Sequence, residues 1–206
     1  MILTSNKHLR EAEQFLSSVD PIMDKLITQF GPCQISPWTQ SLFPSLVDAI
    51  ISQQLSVKAA QTISGRLRAL MPGDSNHLPE VISKLSVDEL RTCGLSGAKT
   101  RYCQTLATAV ASGELALDEL RSKDDEYILK TLIAYPGIGK WTAEMFLIFA
   151  IGSSDIISTG DLGLKRGMQF YLELEDYPSD DLFLGKSLTW SPWRSVASWY
   201  LWRLAG

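Results

Sequence analysis

Two glycines at close spacing, Gly137 and Gly139, lie in the run Tyr135-Pro136-Gly137-Ile138-Gly139-Lys140, between two stretches of helical character. Such a loop can adopt dihedrals closed to residues with a Cβ, and it aims the unpaired N–H groups at the start of the next helix outward. Those N–H groups and the helix dipole can dock a phosphate without a strongly basic surface. The plainer alternative is a tight interhelical turn with no ligand. Asp161 follows 22 residues after Gly139, ahead of the pattern Leu162–Tyr171. By position alone it is that helix's N-cap, and its carboxylate is also a group for electrostatic or acid–base chemistry. The third feature is aromatic. Of six tryptophans, Trp190, Trp193, Trp199 and Trp202 cluster with Tyr200. Electron-rich rings attract cationic ligands, although aromatics at a spacing of three usually face a core, as at least two of these four should.

The elements that must position these groups read as helices. Asp20-Pro21 supplies an N-cap and a first-turn proline for Met23, Leu26, Ile27 and Phe30, and Gly31-Pro32 stops that helix. After a polar link, Gly31–Pro44, the residues Phe43, Leu46, Val47, Ile50, Ile51 and Leu55 fit one helical stripe, and Ala59, Ile63, Leu67 and Leu70 fit another, ending at Met71-Pro72-Gly73-Asp74. Ser86-Val87-Asp88-Glu89 forms a capping box, and Gly94–Gly97 opens a helix with Tyr102, Leu106 and Val110 on one face. Asp124-Asp125 caps Ile128–Ile133, and Trp141–Ile151 is apolar nearly all round, as in a helix buried on most sides. Ile156–Thr159 is either a short strand or a loop.

Composition narrows the field. The 206 residues, 45% hydrophobic and 20% charged, suit one large core or two smaller lobes, and no stretch approaches the roughly 18 apolar residues of a membrane span. The N-terminus lacks the pattern of a secretory signal, so an intracellular protein is expected, in cytoplasm and nucleoid for a bacterial source or in the nucleus for a eukaryotic one. Cys33, Cys93 and Cys103 are too scattered for a disulfide framework and, with His8 and His77, show no zinc spacing, so buried thiols are expected. A net charge of −4 argues against coating nucleic acid by bulk electrostatics. However, the acidic residues concentrate at Glu114–Glu126 and Glu173–Asp181, away from Lys140, Lys165, Arg166, Arg194 and Arg203.

The run Pro136-Gly137-Ile138-Gly139-Lys140-Trp141-Thr142-Ala143, followed by Ser158-Thr159-Gly160-Asp161-Leu162-Gly163-Leu164-Lys165-Arg166-Gly167, resembles the helix-hairpin-helix (HhH-GPD) DNA glycosylase superfamily. It is most similar to the DNA-3-methyladenine glycosylase II branch. Phe43–Ala60 resembles that family's early helix pair, Gly94–Lys99 its second-lobe helix start and Ser191–Ala197 its final helix. The resemblance implies an all-α, bilobal fold with the active-site cleft between the lobes. One lobe would hold 1–42 and 152–206; the other, 43–151, would end in the hairpin motif 132–143.

The resemblance also implies a set of roles. Asp161 is the catalytic carboxylate; Trp141 and Trp202 wall a base pocket, with Met145 and Leu162 where some relatives carry tyrosine. Pro136, Gly137, Ile138, Gly139, Lys140 and Thr142 form the DNA-binding hairpin. Gln54, or alternatively Leu55, is the wedge that fills the gap left by a flipped base, Leu55 otherwise belonging to a core stripe. A structural Na+ or K+ on the backbone carbonyls of Ile133, Tyr135 and Ile138 is a further expectation, with no cofactor required. Relatives with lyase activity carry a lysine where this chain has Trp141, and three cysteines are too few for the family's iron–sulfur cluster. The expected activity is therefore monofunctional hydrolysis of the bond holding alkylated purines such as 3-methyladenine and 7-methylguanine, by a monomer acting on damaged double-stranded DNA. The alternatives are a bifunctional glycosylase/lyase for oxidised bases and a noncatalytic DNA-binding module.

Overall fold

The computed structural model describes residues 2–3, 5–35, 42–73 and 75–206; the link segment 36–41 and Asp74 of the breaker cluster lie outside the described residues. The chain is all-α, as expected. In order the helices are α1 (Asn6–Val19), α2 (Pro21–Phe30), α3 (Leu42–Ser52), α4 (Val57–Arg68), α5 (Pro79–Ile82), α6 (Val87–Thr92), α7 (Gly97–Ala111), α8 (Asp125–Ile133), α9 (Lys140–Phe146), α10 (Leu162–Tyr171), α11 (Asp180–Ser187) and α12 (Arg194–Ala205). A π turn, Leu147–Ile151, follows α9 directly. Ile156–Thr159 is loop; among the described residues the one isolated β-bridge pairs Ile2 with Ser153. No helix among the described residues is long and apolar enough to cross a membrane.

The starts follow local chemistry. Ser5, Asp20, Ser56, Ser86, Ser96, Asp124, Asp161 and Ser179 each cap a helix by accepting an N–H of its first turn. Each such cap contributes about 0.5–2 kcal/mol. Helix ends and faces depart more from expectation. α3 ends at Ser52, and Leu55, placed in its stripe, is 40% exposed beyond a turn in which Gln54 has φ 57°. α4 ends at Arg68, which leaves Leu70 outside it and exposed. On α7 Thr100, Cys103, Leu106, Ala107 and Ala109 are buried, whereas Tyr102 and Val110, expected on one face with Leu106, are half-buried. α1 and α11 had no clear signal.

Two compact units result, Met1–Trp38 with Leu147–Gly206 and Thr39–Phe146. In the discontinuous unit α12 packs along α10 and against α1 and α2. Leu164, Met168, Val196, Ala197 and Leu201 are buried there, and burying an aliphatic side chain contributes about 1.5–3 kcal/mol. Gly167 sets the crossing, because a Cβ on it would lie 2.2 Å from the Leu201 carbonyl oxygen. Below this contact Asp20 accepts hydrogen bonds from the Tyr171 hydroxyl, from Trp190 Nε1 at 2.8 Å and from the first-turn N–H of Ile22, with Lys186 Nζ at 2.9 Å. Burial pushes this carboxyl up, but the donors outweigh it and hold it at about 2.

In the continuous unit α3 packs on α4, α7 and α9, and α7 on α5 and α6. Asp48 of α3 accepts from Ser64 of α4 at 2.5 Å and lies 3.2 Å from the buried His77. Burial raises the Asp48 carboxyl, and the His77 and Ser64 contacts bring it below its ordinary range. Cys33, Cys93 and Cys103 are free, buried thiols, as expected. Burial pushes Cys33 and Cys103 up to about 12.

Candidate active site

Asp161 stands at the head of α10 and caps it, as its position suggested: its Oδ1 accepts the Leu164 N–H at 2.7 Å and Trp202 Nε1 at 2.9 Å. The cap fixes the carboxylate at the positive end of the helix dipole, and the indole, brought up by the α10–α12 contact, fixes its rotation. Gly163 leaves room for the pair, since a Cβ there would sit 3.0 Å from the Trp202 ring and 3.1 Å from Asp161 Oδ1. Phe149 stacks on Trp202 with centroids 5.5 Å apart and planes at 28°, and is itself 46% exposed. The expectation that the apolar run through residue 151 is buried nearly all round therefore fails at Phe149 and at Trp141, 41% exposed. Leu162, a predicted pocket residue, is 70% exposed beside Asp161. Of the four clustered tryptophans, Trp190 and Trp193 are core; Trp199 and Trp202 are half-buried.

The loop leading to Asp161 is fastened to the start of α12, the helix that carries Trp202. Asp155 receives Arg194 in a two-pronged bond, Nε to Oδ1 at 2.7 Å and a terminal nitrogen to Oδ2 at 3.0 Å, and Ser191 Oγ at 2.8 Å. Burial pushes Asp155 up, but Arg194 and Ser191 hold it below the ordinary carboxylate range. Ser195 adds Oγ to the Ser153 carbonyl at 2.6 Å, and its N–H bonds the Ser154 carbonyl at 2.9 Å. Asp161 and Trp202, 41 positions apart, are thus each preceded by a segment of the same clamp.

The other predicted residues lie in the continuous unit. Between α8 and α9 the hairpin turns at Gly137, with φ 88°, and a Cβ there would fall 2.3 Å from the Tyr102 ring. At Gly139 a Cβ would meet nothing within 4 Å, so the protein's own packing does not demand glycine at that site, where an approaching ligand would. Pro136 is part of the turn, Ile138 is buried, and exposed Lys140 lies 3.7 Å from Glu144. Thr142, predicted among the hairpin contacts, is buried, and its Oγ1 receives Gln53 Nε2 at 3.3 Å. Met145, one turn after Trp141, is half-buried.

A groove of about 720 Å³ runs between this hairpin and the α3–α4 turn, lined by Gln53, Gln54, Tyr102, Tyr135, Gly139 and Trp141 among others. Gln53 Nε2 also donates to the Gly137 carbonyl at 2.8 Å, so the turn and the hairpin are joined directly. Lys99 Nζ donates to the carbonyls of Ile51 and Gln53 at 2.8 and 2.7 Å. Nothing in the sequence singles out Gln53, Lys99, Phe149 or Asp155 for a role. Gln53 and Lys99 do stand inside the blocks Phe43–Ala60 and Gly94–Lys99, which was the available signal.

The chain is similar to known proteins in family, sequence and fold. The family model described as HhH-GPD superfamily base excision DNA repair protein matches residues 47–190. DNA-3-methyladenine glycosylase 1 of Schizosaccharomyces pombe is 30% identical over 198 residues, covering 95% of this chain and 87% of that protein. The structure of the Schizosaccharomyces pombe 3-methyladenine DNA glycosylase Mag1 in complex with abasic DNA superposes with a TM-score of 0.85 at 30% identity, over 94% of this chain and 95% of that one. A DNA-3-methyladenine glycosidase from Bacillus halodurans gives a TM-score of 0.84 at 35% identity, over 95% and 89%.

Proposed function

The chain belongs to the HhH-GPD superfamily of base excision DNA repair proteins, and on that premise we propose how its own residues divide the work. The enzyme is a monofunctional DNA glycosylase of the 3-methyladenine type, which hydrolyses the N-glycosidic bond of an alkylated base and leaves an abasic site.

The bond from base to C1′ breaks with its electron pair going to the base. An alkylated purine that carried a positive charge leaves neutral, and the sugar takes on oxocarbenium character. Asp161 stabilises that cation and orients the water whose oxygen bonds to C1′, the water's proton passing to Asp161 or to solvent. The observation that carries this reading is the anchoring of Asp161 by Leu164 and Trp202, which holds a carboxylate ready without reorganisation. Trp202 and Trp141 are each suited to stack on a flipped cationic base by cation–π attraction, and Met145 and Leu162 are the further residues we propose to meet it. With Trp141 in the place of a lysine, no side chain there can form a Schiff base with the sugar, so water is the nucleophile.

On duplex DNA, the partner we propose, the Pro136–Lys140 turn grips a phosphate through backbone N–H groups and Gln54 enters the stack. A monovalent Na+ or K+ fits beside this grip. Ile133 closes α8, so its carbonyl is among the last four that a helix leaves unbonded. The Tyr135 carbonyl, which accepts the Ile138 N–H at 3.1 Å, has a second lone pair, and Ile138 is the third donor. The ion would supply positive charge against the phosphate.

The test is base release from duplexes carrying 3-methyladenine, 7-methylguanine, hypoxanthine, 1,N6-ethenoadenine or uracil, with Asp161→Asn in parallel. Asp161→Asn should lose excision by at least about 100-fold while keeping its affinity for an abasic-site analogue. Unchanged excision by that variant would refute the role of Asp161. A covalent adduct on borohydride treatment of the unmodified protein with substrate would refute the monofunctional mechanism.

A further inference from the structure

Gln54 is a non-glycine residue at φ 57°, in the left-handed region that strains a residue with a side chain. It persists because its neighbours are held from two sides. Lys99, reaching over from α7, donates to the carbonyls of Ile51 and Gln53 at 2.8 and 2.7 Å, where the unpaired carbonyls at the end of α3 favour a cation. The Gln53 side chain turns the other way and donates to the Gly137 carbonyl at 2.8 Å and to Thr142 at 3.3 Å. Gly137 is itself fixed by its positive φ and by the Tyr102 ring, and Tyr102 shares α7 with Lys99. Burial lowers the Lys99 ammonium below its ordinary range, yet its two carbonyl acceptors keep it a donor at this spot. Gln54 and Leu55, between these anchors, are exposed.

We infer that Lys99 and Gln53 are positioning residues that lock the Gln54 turn to the Gly137 hairpin, so that the insertion of Gln54 into the duplex and the hairpin's grip on the phosphate occur as one rigid event. This rests on the reading above that Gln54 enters the stack. The turn is strained before DNA arrives and needs no rearrangement to be inserted; freed from Lys99, it relaxes to ordinary dihedrals and Gln54 leaves its place.

A duplex with a tetrahydrofuran abasic analogue and 2-aminopurine as the adjacent base tests this without any catalytic step, because 2-aminopurine brightens when its stacking is broken. At saturating protein, Gln54→Ala should lose most of the fluorescence rise, by about fivefold or more if the side chain does the unstacking. Lys99→Met and Gln53→Leu, each with unchanged circular dichroism, should lose it to a similar degree although Gln54 is intact. Lys99→Arg, which keeps the donors, should restore at least half of it. A full rise with Gln54→Ala would overturn the wedge reading itself. Loss with Gln54→Ala but a full rise with Lys99→Met and Gln53→Leu would overturn the positioning role alone. Should Lys99→Met fail to fold, Gln53→Leu decides by itself.

Discussion

A carboxylate ahead of a helix is claimed first by the helix, and at Asp161 the capping oxygen belongs to the carboxylate that we propose as the catalyst. Oδ1 takes both the Leu164 N–H and the Trp202 indole, so the side chain has little rotational freedom left when substrate arrives. Trp202→Phe keeps a ring for stacking and removes the donor. Its single-turnover excision should be about tenfold slower, the value of roughly one hydrogen bond to a charged group, with affinity for an abasic analogue unchanged. Equal rates would show that the indole N–H does not orient the carboxylate. The cap at Asp161 is legible in the sequence, because it depends on residues three positions away. The Trp202 donor, 41 residues on, is not; no local pattern links the two, and only the succession of motif blocks suggests that both belong to one site. Phe149 is hidden for a related reason, since an apolar residue in an apolar run reads as core whichever way the helix turns it.

Where a helix begins is a matter of one or two side chains, and where it stops and which side it buries depend on what lies beside it. The Ser86 capping box and the Asp124 and Asp20 caps are accordingly found where the sequence puts them. The end of α3 is not, because it is set by Lys99, 48 residues from Ile51, and Leu55 completes a helical stripe on a helix that has already ended. The buried side of α7 follows from α3, α5 and α6 packing on it, which periodicity cannot report. Asp20 shows how a cap also becomes a joint between elements, since it starts α2 and receives side chains from α10, α11 and Trp190. Its carboxyl, ordinarily near 3.8, is held down at about 2, so its stabilisation is present above the ordinary value and lost as pH falls through about 2. Asp20→Asn should therefore reduce unfolding free energy at pH 7 by roughly 2 kcal/mol, with the gap closing between about pH 4 and pH 2. Urea unfolding of both proteins across that range measures it; a gap independent of pH would mean that the loss comes from packing and not from charge.

At the scale of the whole molecule, a net charge of −4 is unusual company for a protein that holds a polyanion. The hairpin grip we propose would resolve the tension, because N–H groups aimed by a helix start bind phosphate without contributing a countable positive charge. The dependence of DNA affinity on salt should then be shallow. A plot of log K against log salt for an abasic duplex should have a slope no steeper than about −4, the mark of few phosphates neutralised by side chains. A slope near −8 would place the grip on Lys and Arg instead. The all-α class and the order of its elements were within reach of periodicity and caps. The partition into a continuous unit and a discontinuous one was suggested only by resemblance, since contacts between α1, α2 and α12 join segments more than 160 residues apart.

That discontinuity also orders events in time. A chain is made from its N-terminus, and Thr39–Phe146 is one continuous compact unit, so the Gln54 turn, Lys99 and the Gly137 hairpin can form while synthesis is still under way. The unit holding Asp161 cannot close until Arg194–Ala205 has been made, because α12 covers α2 and α10 and brings Trp202 to the carboxylate. During translation, therefore, the unit to which we assign the grip on DNA can mature first, and the unit with the carboxylate to which we assign catalysis closes last.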